Sequence, residues 1–210
     1  MTQFLVVFDV DSTLIEDEVI ELLADVAGKR AEVAAVTERA MAGELDFAES
    51  LIERVKTLAG LPDTVFADVQ KRITITTGAK KLIDAVHAAG GKVGAVSGGF
   101  NQLLTPLAEI LELDFARANQ LEVVDGFLTG KVLGAIVDRQ AKADALLEWA
   151  AATSTPIENT VAVGDGANDL SMMAVAGLGV GFNCKPIVRE HADFILEGHD
   201  LSKLTEKLGL

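Results

Sequence analysis

Phe4-Leu5-Val6-Val7-Phe8-Asp9-Val10-Asp11-Ser12-Thr13-Leu14 reads as an apolar strand that empties into two aspartates one residue apart. A short unbroken run of Phe, Leu and Val suits a strand buried on both faces, as in a parallel sheet. The residue after such a strand stands at the carboxyl edge of the sheet, where open α/β folds place their chemistry. Taken alone, D-x-D-S-T is equally good turn chemistry, since Asp and Ser readily cap and bend a chain. The rest of the sequence has to decide between the two.

Half of the 210 residues are hydrophobic, enough to bury a full core. The net charge of -14 argues against a nucleic-acid or anionic-membrane surface. An anionic substrate would need a locally positive site to overcome that field. The single cysteine, Cys184, excludes an internal disulfide and fits a reducing compartment. No apolar run reaches the length of a spanning helix, and the chain enters its first strand without a basic leader. The expected location is cytoplasmic, with no nucleic-acid or membrane partner; a homodimer is left open.

Beyond the first strand the pattern turns helical. Val19, Leu22, Leu23 and Val26 share one helix face, with Gly28 as a stop. A second helix is expected over about Ala31 to Met41, ending at Gly43. Asp46 and Glu49 form a capping-box-like start for a third, ended by Gly60 and Pro62, and a fourth begins near Pro62. The block is far too long for a βα crossover. We read residues 16–73 as an inserted helical-bundle cap, and 1–15 with 74–210 as a doubly wound, mostly parallel α/β core. In that core, helices are expected over Gly78–Ala89, Phe100–Leu111 and Gln140–Ala151. Strands are expected over Lys92–Val96, Thr160–Val163 and Gly179–Phe182, with a hairpin around Asp125-Gly126 and a last helix from about Leu201.

Three strand ends carry polar signatures: Asp9/Asp11, Ser97-Gly98-Gly99 and Asp165/Asn168/Asp169. A parallel sheet brings such ends to one edge. Like charges about 4 Å apart repel by roughly 4 kcal/mol at an effective dielectric near 20. A cluster that tight implies a divalent cation, a raised pKa, or both. Oxygen donors without His or Cys favour Mg²⁺. Such a set suits phosphoryl transfer. One carboxylate attacks phosphorus, a second acts as acid and base, and Ser97, glycine amides and Lys142 receive the phosphate.

D-V-D-S-T, V-S-G-G-F, Lys142 and V-G-D-G-A-N-D resemble the four motifs of the haloacid dehalogenase (HAD) superfamily of phosphotransferases. More narrowly, the chain resembles phosphoserine phosphatases along its whole length, cap included. The resemblance implies Mg²⁺-dependent hydrolysis of O-phospho-L-serine through an aspartyl-phosphate, the last step of serine biosynthesis. It makes Asp9 the nucleophile and Asp11 the acid/base. It places Mg²⁺ on the side chains of Asp9 and Asp165 and the backbone carbonyl of Asp11, with Asp169 behind them. Ser97, Gly98, Lys142 and Asn168 would contact the phosphate or its surroundings.

The cap would choose the substrate. Glu38 to Gly43, Phe47 and Arg54 are similar to the family's recognition segment. At about 100° per residue from Phe47, Leu51 lies near 40°, Leu58 near 20° and Arg54 near -20°. An arginine amid that apolar stripe suits carboxylate recognition through its two-pronged guanidinium, or a snorkelling stem. Glu18 becomes the ligand for a substrate amine, and Met41 and Phe47 the lining of the closed site, only through the resemblance. Outside it, Lys142 reads as a surface lysine, and Asp165 and Asn168 as helix caps. Gly177-x-Gly179-x-Gly181 overlaps a strand and is no dinucleotide loop. His87, His191 and His199 lack ligand spacing. Lys185-Pro186 resembles a family feature without a role attached. The alternatives are a phosphatase for another small phosphomonoester, a phosphotransferase to an alcohol such as homoserine, and a binding protein that kept the fold without catalysis.

Overall fold

The structure is a computed structural model that describes residues 4–41 and 44–210, apart from the side chains of Glu38, Ala40 and Met41. The expected stop at Gly43 lies outside the described residues. The first strand, β1 (Leu5–Phe8), is completely buried. Its side chains alternate between two cores. Val6 and Phe8 point into one, with Leu82, Val86 and Leu103; Leu5 and Val7 point into the other, with Leu146, Trp149 and Met172. That double burial is why the strand is apolar at every position.

Seven strands form the sheet of the described residues, in the order β4-β3-β2-β1-β5-β6-β7. They are β1, β2 (Lys92–Phe100), β3 (Phe115–Val124), β4 (Phe127–Leu133), β5 (Thr160–Gly164), β6 (Leu178–Phe182) and β7 (Phe194–Leu196). All pairings are parallel except β3–β4, the hairpin expected around Asp125-Gly126. The sheet grows to one side of β1 through β4 and to the other from β5, so the topological switch lies between β1 and β5. Phe8 pairs with both Ala95 and Val163. That register brings Asp9, Ser97 and Asp165 out at nearly one level.

Between β1 and β2 lie α1 (Val19–Val26), α2 (Arg30–Met41), α3 (Phe47–Lys56), α4 (Val65–Gln70) and α5 (Ala79–Ala88). The first four are the expected inserted helices. Helix α3 starts at the expected capping box: Asp46 Oδ1 accepts from Glu49 N at 2.8 Å and Glu49 Oε2 from Asp46 N at 3.0 Å. Two main-chain straps tie the inserted helices down. At their root Glu16 N donates to Thr74 O at 2.9 Å and Thr76 N to Leu14 O at 2.9 Å. Farther out, the α3–α4 turn pairs with β4 through Gly60 N to Leu128 O (2.8 Å) and Leu128 N to Leu61 O (2.8 Å). This pairing also covers part of an otherwise open sheet edge.

Helices α6 (Asn101–Leu111), α7 (Arg139–Ala152), α8 (Leu170–Val175), α9 (Pro186–Arg189) and α10 (Leu204–Leu208) complete the fold. Strand β2 runs on through Ser97-Gly98-Gly99 to Phe100, past the expected end at Val96, with its pairing to β3 shifted between Val96 and Phe100. β3 begins at Phe115, ten residues before the Asp125 of the expected hairpin turn, and β7 lies outside the expected strands. Among the described residues no helix is long and apolar enough to cross a membrane.

Candidate active site

Asp9 follows the last residue of β1, and its amide donates to Val163 O at 2.8 Å, so the end of β5 fixes its backbone. The chain then makes a tight turn over Val10–Leu14, closed by Ile15 N to Val10 O at 3.0 Å, with Ser12 at φ 57°. This turn swings Asp11 back toward the sheet edge. There Gly99 has no side chain, which lets Asp11 and Val19 approach. A Cβ at Gly99 would stand 2.7 Å from Val19 Cγ2 and 3.3 Å from Asp11 Oδ2.

Asp9 Oδ1 accepts from Val10 N at 2.7 Å and pairs with Lys142 Nζ at 2.7 Å. Asp9 Oδ2 faces Asn168 Nδ2 at 3.4 Å. Lys142, from the first turn of α7, also meets Asp169 Oδ1 at 2.8 Å, and its side chain is only 1% exposed. The other Asp169 oxygen accepts from the amides of Asp165 (3.2 Å) and Gly166 (3.0 Å). Both oxygens of Asp169 are therefore engaged, which suits a supporting position behind a metal.

Carboxylate oxygens of Asp9, Asp165 and Asp169, all buried, lie within 4.8 Å of one another. Three negative charges in that volume with one buried lysine leave a net anionic hole made of oxygen donors, and such a cluster could hold a metal ion. Burial, then the Asp169 charge, push the Asp9 carboxyl up to about 7 against the pull of Lys142. Asp11 is raised well above the carboxylate range by burial, then by Glu18 and Asp9. Its Oδ1 is buried with no hydrogen-bond partner among the described residues. Burial also raises Asp165, with Lys185 opposing. Burial alone would lower the Lys142 pKa, but Asp9 and Asp169 outweigh it and hold the ammonium charged.

A cavity of about 200 Å³ opens over these groups. Asp9, Asp11, Gly98, Gly99, Asp165 and Asn168 form its floor; Glu18, Ile20, Phe47, Leu51 and Arg54 come from the inserted helices. Phe47 lies on Gly98 so closely that a Cβ there would stand 2.8 Å from Phe47 Cζ. Arg54 is half-buried, its Nε donating to Ser50 O at 3.2 Å, and it forms no ion pair among the described residues. Burial lowers its pKa, with Glu18 and Asp11 opposing. Glu18 Oε1 accepts from Ser12 Oγ at 2.8 Å.

The expected residues thus gather at one place, with two qualifications. Ser97 and Lys142 stand behind the cavity wall: Ser97 is 2% exposed and its Oγ accepts from Gly99 N at 2.7 Å. The side chain of Met41 lies outside the described residues. One residue was missed, and a second, Lys185, was named without a role. Asn119, buried on β3, donates to Gly98 O at 2.8 Å and accepts from Val137 N at 2.8 Å, fixing the strand end that faces the cavity. Lys185 lines the cavity with its Nζ 3.3 Å from Asp165 Oδ2. Its position just after β6 is the available signal, since the other strand ends of this edge already carry the site.

Residues 6–174 match the family model of haloacid dehalogenase-like hydrolases. The chain belongs to that family. This haloacid dehalogenase-like hydrolase is 54% identical over its whole length to a phosphoserine phosphatase of Mycobacterium tuberculosis, of which it spans about half (51%). It is 52% identical to a phosphoserine phosphatase of Streptococcus thermophilus, over 97% of this chain and 95% of that one. Its fold is similar to a solved phospho-aspartyl intermediate analogue of phosphoserine phosphatase, with TM-score 0.92, 42% identity and 99% of each chain covered.

Proposed function

We propose that this hydrolase is a Mg²⁺-dependent phosphoserine phosphatase that releases phosphate from O-phospho-L-serine through an aspartyl-phosphate on Asp9. The observation that carries the reading is one cavity with phosphoryl-transfer carboxylates on its floor and Glu18 and Arg54 on its walls. The relatives' name and the near-complete match to the Streptococcus enzyme support the substrate. In this reading residues 16–73 act as a cap on a core of residues 1–15 and 74–210, and the enzyme works in the cytoplasm on a small molecule.

Asp9 is held by Val10 N and Lys142 so that its carboxylate presents to the cavity. It attacks phosphorus as the serine oxygen leaves. Asp11, kept protonated by burial and by its acidic neighbours, donates its proton to that oxygen. Once ionised, Asp11 takes a proton from the water that cleaves the aspartyl-phosphate, which regenerates Asp9. A bound Mg²⁺ would be held by Asp9, Asp165 and the Asp11 carbonyl and would neutralise charge on the nucleophile and the phosphoryl oxygens. Gly98 and Asn168 face the phosphate from the floor. Ser97 and Lys142 act from directly behind it: Ser97 holds the Gly99 amide, and Lys142 holds Asp9 and Asp169. Arg54 pairs with the substrate carboxylate and Glu18 with its ammonium, while Phe47 lines the site over them.

Phosphate release from L-phosphoserine, phosphoethanolamine and glycerol phosphate, with Mg²⁺ or with EDTA, tests this function. Mg²⁺-dependent preference for phosphoserine is expected. Equal rates on all three would remove the cap assignment, and release undiminished by EDTA would remove the metal.

A further inference from the structure

Lys185 has no part in the steps above, yet it is built into the site. Its amide donates to Asp165 O at 2.9 Å, which ties the root of its side chain to the Asp165 loop, and Pro186 then begins α9. Its ammonium lies 3.3 Å from Asp165 Oδ2 while the side chain stays 63% exposed. The cavity is lined by four carboxylates, those of Asp9, Asp11, Glu18 and Asp165, and by the cations of Arg54 and Lys185. Arg54 reaches the cavity from α3, whereas the Lys185 backbone is bonded to the Asp165 loop itself.

We propose that Lys185 is an exchangeable counter-ion for Asp165: its ammonium holds that carboxylate in the metal-free protein, gives way when a divalent cation binds, and so sets metal affinity. The inference rests on Asp165 being a metal ligand. Lys142 and Lys185 make a contrast. Lys142 is sealed between Asp9 and Asp169 and has nowhere to go. Lys185 is a hydrated point charge on a flexible stem, free to turn into solvent or toward the cavity without any backbone movement. Mg²⁺ carries twice the charge and requires short, near-octahedral oxygen contacts. A cation that takes Asp165 Oδ2 competes there with the Lys185 ammonium, and breaking the Lys185–Asp165 pair lowers the net affinity for the metal. The displaced ammonium remains beside the cavity, where an incoming phosphate meets added positive charge on a strongly acidic chain.

Calorimetric titration of Mg²⁺ into EDTA-treated, substrate-free wild type, Lys185→Met and Lys185→Arg tests the exchange. Lys185→Met should bind Mg²⁺ roughly fivefold or more tightly, because a competing like charge is gone. Lys185→Arg, which keeps the charge, should stay within about twofold of wild type by the same argument. Equal or weaker binding by Lys185→Met overturns the proposal. Phosphoserine turnover by the wild type, measured in parallel, separates the two readings. Mg²⁺-dependent turnover with no tightening in Lys185→Met defeats the counter-ion alone, whereas no Mg²⁺ binding by the wild type defeats the metal reading and the counter-ion with it.

Discussion

Lys142 Nζ lies 2.7 Å from Asp9 Oδ1, with the two side chains 1% and 4% exposed. The same ammonium meets Asp169 2.8 Å away, so one buried cation is shared by two carboxylates from different strand ends. It fixes the proposed nucleophile and also lets two like charges coexist out of water.

Removing that cation should cost the protein twice. Lys142→Met leaves Asp9 and Asp169 buried without their counter-charge, and breaking a buried pair costs about 3–5 kcal/mol. Urea unfolding should show this loss, with phosphoserine turnover falling to background. A stability change under about 1 kcal/mol would mean that water replaces the lysine, contrary to the burial seen here.

Arg54 lines the cavity and has no acidic partner within ion-pair distance among the described residues. Arg54→Ala should lower kcat/KM for phosphoserine by about 1.5–3 kcal/mol, roughly 10- to 150-fold, the range for a charged hydrogen bond. Phosphoethanolamine, which lacks the carboxylate, should change by less than about threefold, since it never forms that bond. Equal losses on the two substrates would take Arg54 out of recognition.

The pH dependence follows from the Asp9 carboxyl, pushed up to about 7 first by burial and then by Asp169. In the unfolded chain it titrates near 3.9. A folded-state pKa above the unfolded one means that the native state holds the proton more tightly. Its contribution to stability is full at low pH and fades as pH rises through about 7. In the proposed reading, a bound Mg²⁺ would take the place of that proton. Its thermal stabilisation should therefore be slight at pH 5.5 and larger at pH 8, roughly 5–10 °C at a hundredfold excess over Kd. A shift that shrinks with rising pH, read by calorimetric melting, would contradict this order.

Gly164 ends β5 directly under Asp169. A Cβ there would stand 2.4 Å from both Asp169 Cγ and Oδ2, and Asp169 is held by Lys142 and two amides. Gly164→Ala should destabilise by about 1–3 kcal/mol through overpacking and weaken Mg²⁺ binding with it. Wild-type melting and wild-type metal affinity together would show that Asp169 has room to move.

The parts of this fold legible in the sequence are those whose cause is local. Phe4 to Asp11 shows a buried strand and its acidic end, and Asp46 with Glu49 marks the start of α3 because both hydrogen bonds span three residues. The convergence of Asp9, Ser97 and Asp165 was also legible, since parallel strands put their ends at one edge. The start of β3 was not. Phe115 to Leu121 mixes buried and exposed positions without clean alternation, and its pairing with β2 is a long-range fact. Asn119 was missed for the same reason: its partners, Gly98 O and Val137 N, are 21 and 18 residues away. Lys142 was legible only through its place in the motif order. By type it belongs at the surface, and only two distant aspartates explain its burial.

The central claim is that Asp9 carries the phosphoryl group. Mixing the Mg²⁺-loaded enzyme with ³²P-labelled L-phosphoserine and quenching in acid within the first turnover tests it most directly. Label should appear on the protein as a hydroxylamine-labile acyl-phosphate that maps to Asp9, and it should be absent from folded Asp9→Asn. Product forming at the wild-type rate with no label on the protein, or a label that persists in Asp9→Asn, would contradict it.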